Sequence, residues 1–257
     1  MNINESKNIT LNLIETFKIA GNAALKLRKN GLKIQIKADK TPVTDADIKI
    51  NKILSEKISL LTPNIPIISE ENSKNKNIKE LKNFWLIDPI DGTKDYIGNR
   101  DEFTLNASLI INNRPLIGIV TAPGKKRIFY AYSKSNSYEL VNDNEINLSN
   151  KKKKILTEIK AVSYSNKLRN DILEIHKNNN VTYYQKMTSS YKFCVVAAGE
   201  FDLYAAEPRA SEWDIAAGHA ILEHSGGQVT DFDGNEILYG KKDFKNPSLI
   251  LKSKNIL

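Results

Sequence analysis

The segment that most restricts this chain is Phe84-Trp85-Leu86-Ile87-Asp88-Pro89-Ile90-Asp91-Gly92-Thr93. Four consecutive apolar residues, branched or aromatic, read as a buried strand, because a half-exposed strand would alternate with polar residues. The strand runs into Asp-Pro-x-Asp-Gly-Thr, which presents two carboxylates, a backbone carbonyl and a hydroxyl within one turn. These are hard oxygen ligands, suited to Mg²⁺ or Mn²⁺ and not to zinc. Two carboxylates so close raise one another's pKa unless a cation neutralises them. Asp-Pro and Asp-Gly are also common turn dipeptides, so the segment alone reads equally well as an acidic turn.

Around it the chain organises into two patterns. Ile9, Leu13, Phe17, Ala20, Ala24 and Leu27 recur at helical spacing and predict a helix over 9–28, stopped by Asn30-Gly31. A second helix is expected from Thr44 or Asp45 to Pro63, with either residue as cap. Strands are expected at 65–68, 84–87, 103–111, through 119–122, 128–132 and 137–141, with Asn112-Asn113-Arg114-Pro115 as a turn. Beyond the lysine run Lys151–Lys154, strand and helix alternate: strand 159–163, helix 167–177, strand 181–185, helix 189–198, strand 201–204, helix 213–224 and strand 228–231. The expected boundary lies near residue 150, between an α+β half (1–150) and an α/β half (151–257).

Charge adds less than it first suggests. The 257 residues carry 38 Lys+Arg against 30 Asp+Glu, a formal net charge of +8. Only six of the basic residues are Arg, and Lys, Asn and Ile are abundant together, which reads as compositional bias of the source genome and not as a nucleic-acid surface. Lys151–Lys154 reads as a solvated connection. No window reaches the ~18 apolar residues of a membrane span. The stretch MNINESKNIT has no apolar h-region, so a signal peptide is not expected, and the expected compartment is the cytoplasm. The one cysteine, Cys194, allows neither an internal disulfide nor a cysteine-based zinc site and reads as a buried structural thiol.

More carboxylates accompany the acidic turn: Glu70 and Glu71 after an apolar run, Asp45 and Asp47 at a helix start, and Asp214 after Trp213. Each has an ordinary explanation as a solvated pair or a first-turn helix residue. Together, Trp85–Thr93, the upstream Glu70-Glu71 and the downstream Trp213-Asp214-Ile215-Ala216-Ala217-Gly218 resemble the lithium-sensitive, magnesium-dependent phosphatase superfamily of inositol monophosphatase and fructose-1,6-bisphosphatase. The resemblance covers nearly the whole chain and implies that family's layered αβαβα sandwich. Asp91–Ile97, Glu102–Asn106 and Ser189–Cys194 are similar to its 3′(2′),5′-bisphosphate nucleotidase branch, CysQ.

The resemblance implies that Glu70, Asp88 and the Ile90 carbonyl hold one Mg²⁺, and Asp88, Asp91 and Asp214 a second, with two or three ions per site and Mn²⁺ as a substitute. It implies catalytic roles for Asp47, Thr93 and Glu70, with Thr93 hydrogen-bonded to Asp47 to orient and deprotonate water. Glu70, Ile90, Asp91, Gly92, Thr93, Ser190, Lys192 and Asp214 would then line the substrate, with Lys192 on a second phosphate. The implied reaction is hydrolysis of the 3′-phosphate of 3′-phosphoadenosine 5′-phosphate to AMP and phosphate, in sulfur metabolism. His176, His219 and His224 lack ligand or triad spacing, although His219 stands one turn past Asp214.

One stretch departs from the branch, which carries a Tyr-Pro-Arg-Phe-Gly-Pro-Thr-like run where this chain has Tyr204-Ala205-Ala206-Glu207-Pro208-Arg209-Ala210-Ser211. Two alternatives therefore stay open: a phosphatase of inositol phosphates or another small monoester, and, more distantly, a non-catalytic anion- or RNA-binding module. The expected partner is a small nucleotide bisphosphate, with no nucleic acid and no integral membrane segment. For bacterial members the resemblance also implies peripheral association with the cytoplasmic face of the inner membrane, which the charge permits. A monomer and a homodimer are equally compatible with the sequence.

Overall fold

In the computed structural model, residues 1–37, 41–72 and 81–257 are described. The chain opens with α1 (Ile3–Asn30), six residues earlier than its apolar period predicts. The reason is a capping box: Asn2 accepts from the Glu5 N–H at 3.0 Å while Glu5 accepts from the Asn2 N–H at 2.9 Å. A short hairpin, β1 (Ile34–Ile36) and β2 (Pro42–Thr44), leads into α2 (Asp45–Leu61), capped by Thr44. The hairpin is unforeseen because strands of three residues show no period.

Seven strands form the larger sheet, in the order β3 (Ile67–Ser69), β4 (Phe84–Asp91), β5 (Thr104–Ile111), β6 (Arg114–Ala122), β7 (Arg127–Ser133), β8 (Asn136–Val141) and β9 (Asn144–Asn147). The one-turn helix α3 (Thr93–Ile97) leaves β4. The turn between β5 and β6 is tighter than expected: Asn112 and Asn113 both take positive φ, 49° and 61°, as a two-residue hairpin requires, and Arg114-Pro115 already belong to the strand.

The second sheet follows, with β10 (Ile159–Ser163), α4 (Asn170–Asn178), β11 (Val181–Lys186), α5 (Tyr191–Ala197), β12 (Leu203–Ala206), α6 (Glu212–His224), β13 (Gln228–Thr230) and β14 (Leu249–Lys252). Its order is β11-β10-β12-β14-β13, with β14 inserted antiparallel between β12 and β13. Three boundaries differ from the sequence reading. Residues 163–167 form hydroxyl-closed turns through Ser163 and Ser165, so α4 starts only at Asn170. Ser189 has φ +55°, which no helix accommodates, so α5 starts at Tyr191. Gly199 takes φ +69° and the Asp202 N–H bonds the Lys160 carbonyl, which moves β12 on to Leu203.

The layers run α1/α2, seven-stranded sheet, α5/α6, five-stranded sheet, α4, which is the αβαβα sandwich expected. Strand β4 shows why: Trp85 and Ile87 pack with α1 and α2, while Phe84 and Leu86 join the core around α5 and α6. Helix α6 lies so close to β6 that a Cβ on Gly118 would meet the Ala217 carbonyl oxygen at 2.3 Å. The lysine run is not simply solvated: Lys151 and Lys154 donate to the carbonyls of Ala198 and Gly199 just after α5. Cys194 is fully buried in α5. Among the described residues, no helix is long and apolar enough to cross a membrane.

Candidate active site

Asp88 and Asp91 are three residues apart and would point to opposite faces of a regular strand. Pairing with β5 shifts between them: Asp88 stands opposite Asn106 and Asp91 opposite Thr104. One extra residue is absorbed at Pro89-Ile90 as a bulge, and both carboxylates emerge into one cleft. Pro89, which has no N–H to give a ladder, sits where the ladder is already broken. Ile90 anchors its side chain in the core under α1 and α2, and its N–H donates to Asp88 Oδ1 at 3.1 Å. Gly92 follows with φ +86° and ψ 38°, a left-handed conformation that reverses the chain into α3 and strains any residue with a Cβ.

The cleft, about 290 Å³, is also lined by Glu70, Thr93 and Asp214. Glu70 continues the β3–β4 pairing, its N–H donating to the Ile87 carbonyl at 3.1 Å. Lys37, absent from the sequence reading because it sits on the unforeseen hairpin, places Nζ 3.0 Å from Glu70 Oε1 and 2.8 Å from Glu71 Oε1. Asp47 and Asp214 hold equivalent places, each the third residue of a helix and the acidic member of a capping box. Asp47 Oδ2 accepts from Thr44 N–H at 2.8 Å and from its hydroxyl at 2.5 Å. Asp214 Oδ2 accepts from the Ser211 N–H at 2.7 Å. In both, the ordinary helix-start role is real, and among the described residues Oδ1 takes no hydrogen bond.

The hydrogen bond implied between Thr93 and Asp47 is not made. Asp47 Oδ2 is committed to its cap, and the Thr93 hydroxyl donates to the Ile90 carbonyl at 3.0 Å. Ser190 bridges the two halves of the chain: its N–H donates to Asp91 Oδ2 at 2.5 Å and its hydroxyl to the Asp214 carbonyl. Asn106, which closes the Glu102–Asn106 motif but has no role assigned from sequence, donates to Ser190 Oγ at 3.1 Å and to Asp91 Oδ2 at 3.4 Å. Its place opposite Asp88 follows from register, which no local pattern reveals. Lys192 lies in an adjoining cavity that shares Asp91 and Asp214 with the cleft. His219 turns away to the Tyr239 hydroxyl at 2.9 Å and to Glu223.

Burial pushes the Asp88 carboxyl well above the usual range, and Glu70, Asp91, Asp214 and Asp47 add to it by repulsion. Burial and the charge of Asp91 push Asp214 up to about 8. Asp47 is pushed up to about 6 by burial, against the lowering effect of its Thr44 bonds. Among the described residues, no three His, Cys, Asp or Glu side chains stand close enough round one point to hold a metal ion. The donors are nonetheless all oxygen, and acidic groups buried against one another are stable as anions only with a hard cation between them. The residues present fit Mg²⁺ or Mn²⁺.

The sequence profile of the Inositol monophosphatase family matches residues 6–256. The chain belongs to that family. Among similar members, the 3′(2′),5′-bisphosphate nucleotidase CysQ of Buchnera aphidicola is 35% identical over 229 residues, covering 86% of this chain and 83% of that one. The CysQ of Salmonella typhimurium is 34% identical, over 82% of this chain and 85% of that one. Among solved structures, CysQ of Bacteroides thetaiotaomicron superposes with a TM-score of 0.73 at 28% identity, covering 97% and 98% of the two chains. An IMPase of Thermotoga maritima shares the fold at 23% identity, with a TM-score of 0.72 over 95% of this chain and 91% of that one.

Proposed function

We propose that the chain is a divalent-cation-dependent phosphatase that removes the 3′-phosphate of 3′-phosphoadenosine 5′-phosphate, leaving AMP and phosphate. The observation that carries this reading is the convergence of Glu70, Asp88, Asp91 and Asp214 on one cleft, two of them by way of a strand bulge. The bisphosphate nucleotidase relatives point to the substrate. The ligands come from both halves, 1–150 and 151–257, so the cleft exists only where the two sheets share α6. A cytoplasmic setting fits the single unpaired cysteine.

Glu70, Asp88 and the Ile90 carbonyl would hold one Mg²⁺, and Asp88, Asp91 and Asp214 a second. When bound, the ions supply charge neutralisation at the phosphoryl group and a lowered pKa for the attacking water. Asp88 is the residue shared by both sets, so its carboxylate is held by a strand end and by the Ile90 N–H. Gly92 leaves the backbone beside the phosphate clear of a side chain. The Thr93 hydroxyl orients the attacking water once it turns from the Ile90 carbonyl, and Asp47, with Oδ1 unbonded, accepts the proton passed through it. Glu70 positions water in the cleft that it lines with Asp214. Ser190 and Asn106 fix Asp91, and Lys192 neutralises the second phosphate.

Phosphate release from 3′-phosphoadenosine 5′-phosphate and from inositol 1-phosphate, each with Mg²⁺ and with EDTA, tests the reading. Strong Mg²⁺-dependent preference for the nucleotide is the expected result. Preference for inositol phosphate would keep the cleft and replace the substrate, a second reading favoured by the departure at 205–211.

A further inference from the structure

The motif Glu102–Asn106 works on Asp91 from both of its ends. Asn106 touches Asp91 directly, and Glu102 reaches it through the turn that precedes α5. The Glu102 carboxylate takes the Thr188 N–H at 3.2 Å, while its backbone carbonyl takes the Ser189 hydroxyl at 2.5 Å and the Thr188 hydroxyl at 3.3 Å. One residue thus grips two consecutive residues of the turn, with its side chain and its main chain together. Glu102 is itself held still from both sides. Arg28 of α1 donates to the Arg100 carbonyl and to Asp101 Oδ1, each at 2.8 Å, and stands over the ring of Phe103, which is fully buried.

The turn needs such a grip. Ser189 has φ +55°, in the left-handed region that a residue with a Cβ occupies under strain. Besides bonding Glu102, its hydroxyl accepts the Tyr191 N–H at 3.3 Å, and its carbonyl accepts Lys192 Nζ at 2.6 Å. Held in that conformation, Ser189 delivers the next N–H, that of Ser190, to Asp91 Oδ2 at 2.5 Å. A Ser189 relaxed to negative φ would carry the Ser190 N–H off that oxygen. Asp91 repels both Asp88 and Asp214, so its carboxylate keeps its place only while its donors keep theirs.

We propose that Glu102 is a positioning residue for Asp91: by gripping the Thr188–Ser189 turn, it aims the Ser190 N–H at Asp91 Oδ2 and so sets the orientation in which Asp91 meets a divalent cation. The inference rests on the reading of the cleft as a cation-dependent phosphatase site. What the grip asks of the Glu102 side chain is an acceptor and not a charge. Lys125 Nζ lies 3.9 Å from the carboxylate, beyond hydrogen-bond reach, whereas the Thr188 N–H is bonded.

The test is calorimetric titration of Mn²⁺ into the metal-stripped protein without substrate. Wild type is compared with Glu102→Ala, Glu102→Gln and Ser189→Ala, whose folding is checked by circular dichroism and by melting in EDTA. Glu102→Ala is expected to weaken Mn²⁺ binding roughly 10-fold, the order of one lost hydrogen bond to a partly buried donor. Glu102→Gln, whose amide oxygen still accepts from Thr188, should stay within about twofold of wild type. Ser189→Ala keeps Glu102 but loses the hydroxyl bond that holds the strained turn, and should weaken Mn²⁺ roughly 3- to 10-fold. A role confined to stability would lower the melting temperature in EDTA and leave Mn²⁺ affinity alone. Unchanged affinity in Glu102→Ala, or equal loss in Glu102→Gln, would overturn the inference; if Glu102→Ala does not fold, unchanged affinity in Ser189→Ala overturns it instead. Mg²⁺-dependent phosphate release by the wild type is read in parallel. Weakened Mn²⁺ binding in Glu102→Ala without release by the wild type would sink the phosphatase reading and keep the grip. Release by the wild type with unchanged Mn²⁺ affinity in the variants would sink the grip alone, and a wild type that binds no Mn²⁺ would sink both.

Discussion

The backbone N–H of Ser190 lies 2.5 Å from Asp91 Oδ2, so a residue at the start of α5 holds a carboxylate at the end of β4. Asp91 is thereby fixed from outside its own sheet, and it shares a cleft with Glu70, Asp88, Asp95 and Asp214. Replacing Asp88 or Asp91 by Asn keeps the shape and removes the charge. Either variant should lose phosphate release by a factor of 10³ or more, on the order of what a lost electrostatic contact at phosphorus costs, with an unchanged circular dichroism spectrum. In EDTA the Asp88→Asn protein should melt roughly 2–4 °C above wild type, since one mutually repelling charge is gone. Full activity in either variant would remove the residue from the site.

The metal-stripped protein should lose stability as pH rises. Asp214 has its carboxyl raised to about 8 and Asp88 is raised in the same direction, so between their ordinary values near 4 and about pH 8 the folded form binds protons more tightly than the unfolded form. Stability is then highest at the acid end of that window and falls toward pH 8. Melting temperatures in EDTA from pH 5 to pH 8 should show this slope, and saturating Mg²⁺ should abolish or invert it. A slope that does not respond to Mg²⁺ would place the cation elsewhere.

The proton route depends on Thr93, whose hydroxyl is 3.0 Å from the Ile90 carbonyl. Thr93→Ala should lower kcat roughly 10²- to 10⁴-fold, the range of a lost general acid–base contribution, while Mg²⁺ affinity measured by calorimetry changes little. Thr93→Ser should recover most of the rate. If Thr93→Ala weakens Mg²⁺ and kcat together, the hydroxyl acts by shaping the Ile90 carbonyl instead.

A different charge cluster carries the acid sensitivity of the fold. Arg114 on β6 pairs with both Glu223 and Glu236, and His219 Nε2 lies 3.5 Å from Glu223. The His219 hydrogen bond, ahead of the Arg114 charge, pulls Glu223 down to about 2 from about 4.5. A depressed carboxyl stabilises fully above its unfolded value and ceases to do so as pH falls through its folded value. Wild type should therefore melt above Glu223→Gln at pH 6, and the gap should close between about pH 4.5 and pH 2. A gap independent of pH would mean that the substitution acts through packing.

What could be read from the amino acids divides by the distance over which the cause operates. The apolar stripe of α1, the strand 84–87 and the acidic turn are local, and the family motif at 85–93 carried the layered fold with it. The register shift between Asp88 and Asp91 was hidden, because a bulge is a property of the pairing with β5 and not of either strand. Asn106 and Lys37 escaped for the same reason, one being placed by register and the other by a hairpin three residues deep on each side. Strand β14 escaped because a four-residue strand inserted between partners distant in sequence has no turn to announce it. Asp47 and Asp214 were legible as first-turn helix residues, and each closes a capping box.

The bulge at Pro89-Ile90 also sets what kinds of inherited change this gene can absorb. Substitutions at Trp85 or Ile87 alter packing by degrees, and other positions can compensate for them. Gain or loss of a single codon between Asp88 and Asp91 has no such gradation, since it enlarges or removes the bulge that sets the spacing of the two carboxylates and the Ile90 N–H bond to Asp88. Descendants of this sequence should therefore vary in letter along β4 while keeping its length, and a variant of altered length there should persist as a folded protein that has left catalysis behind.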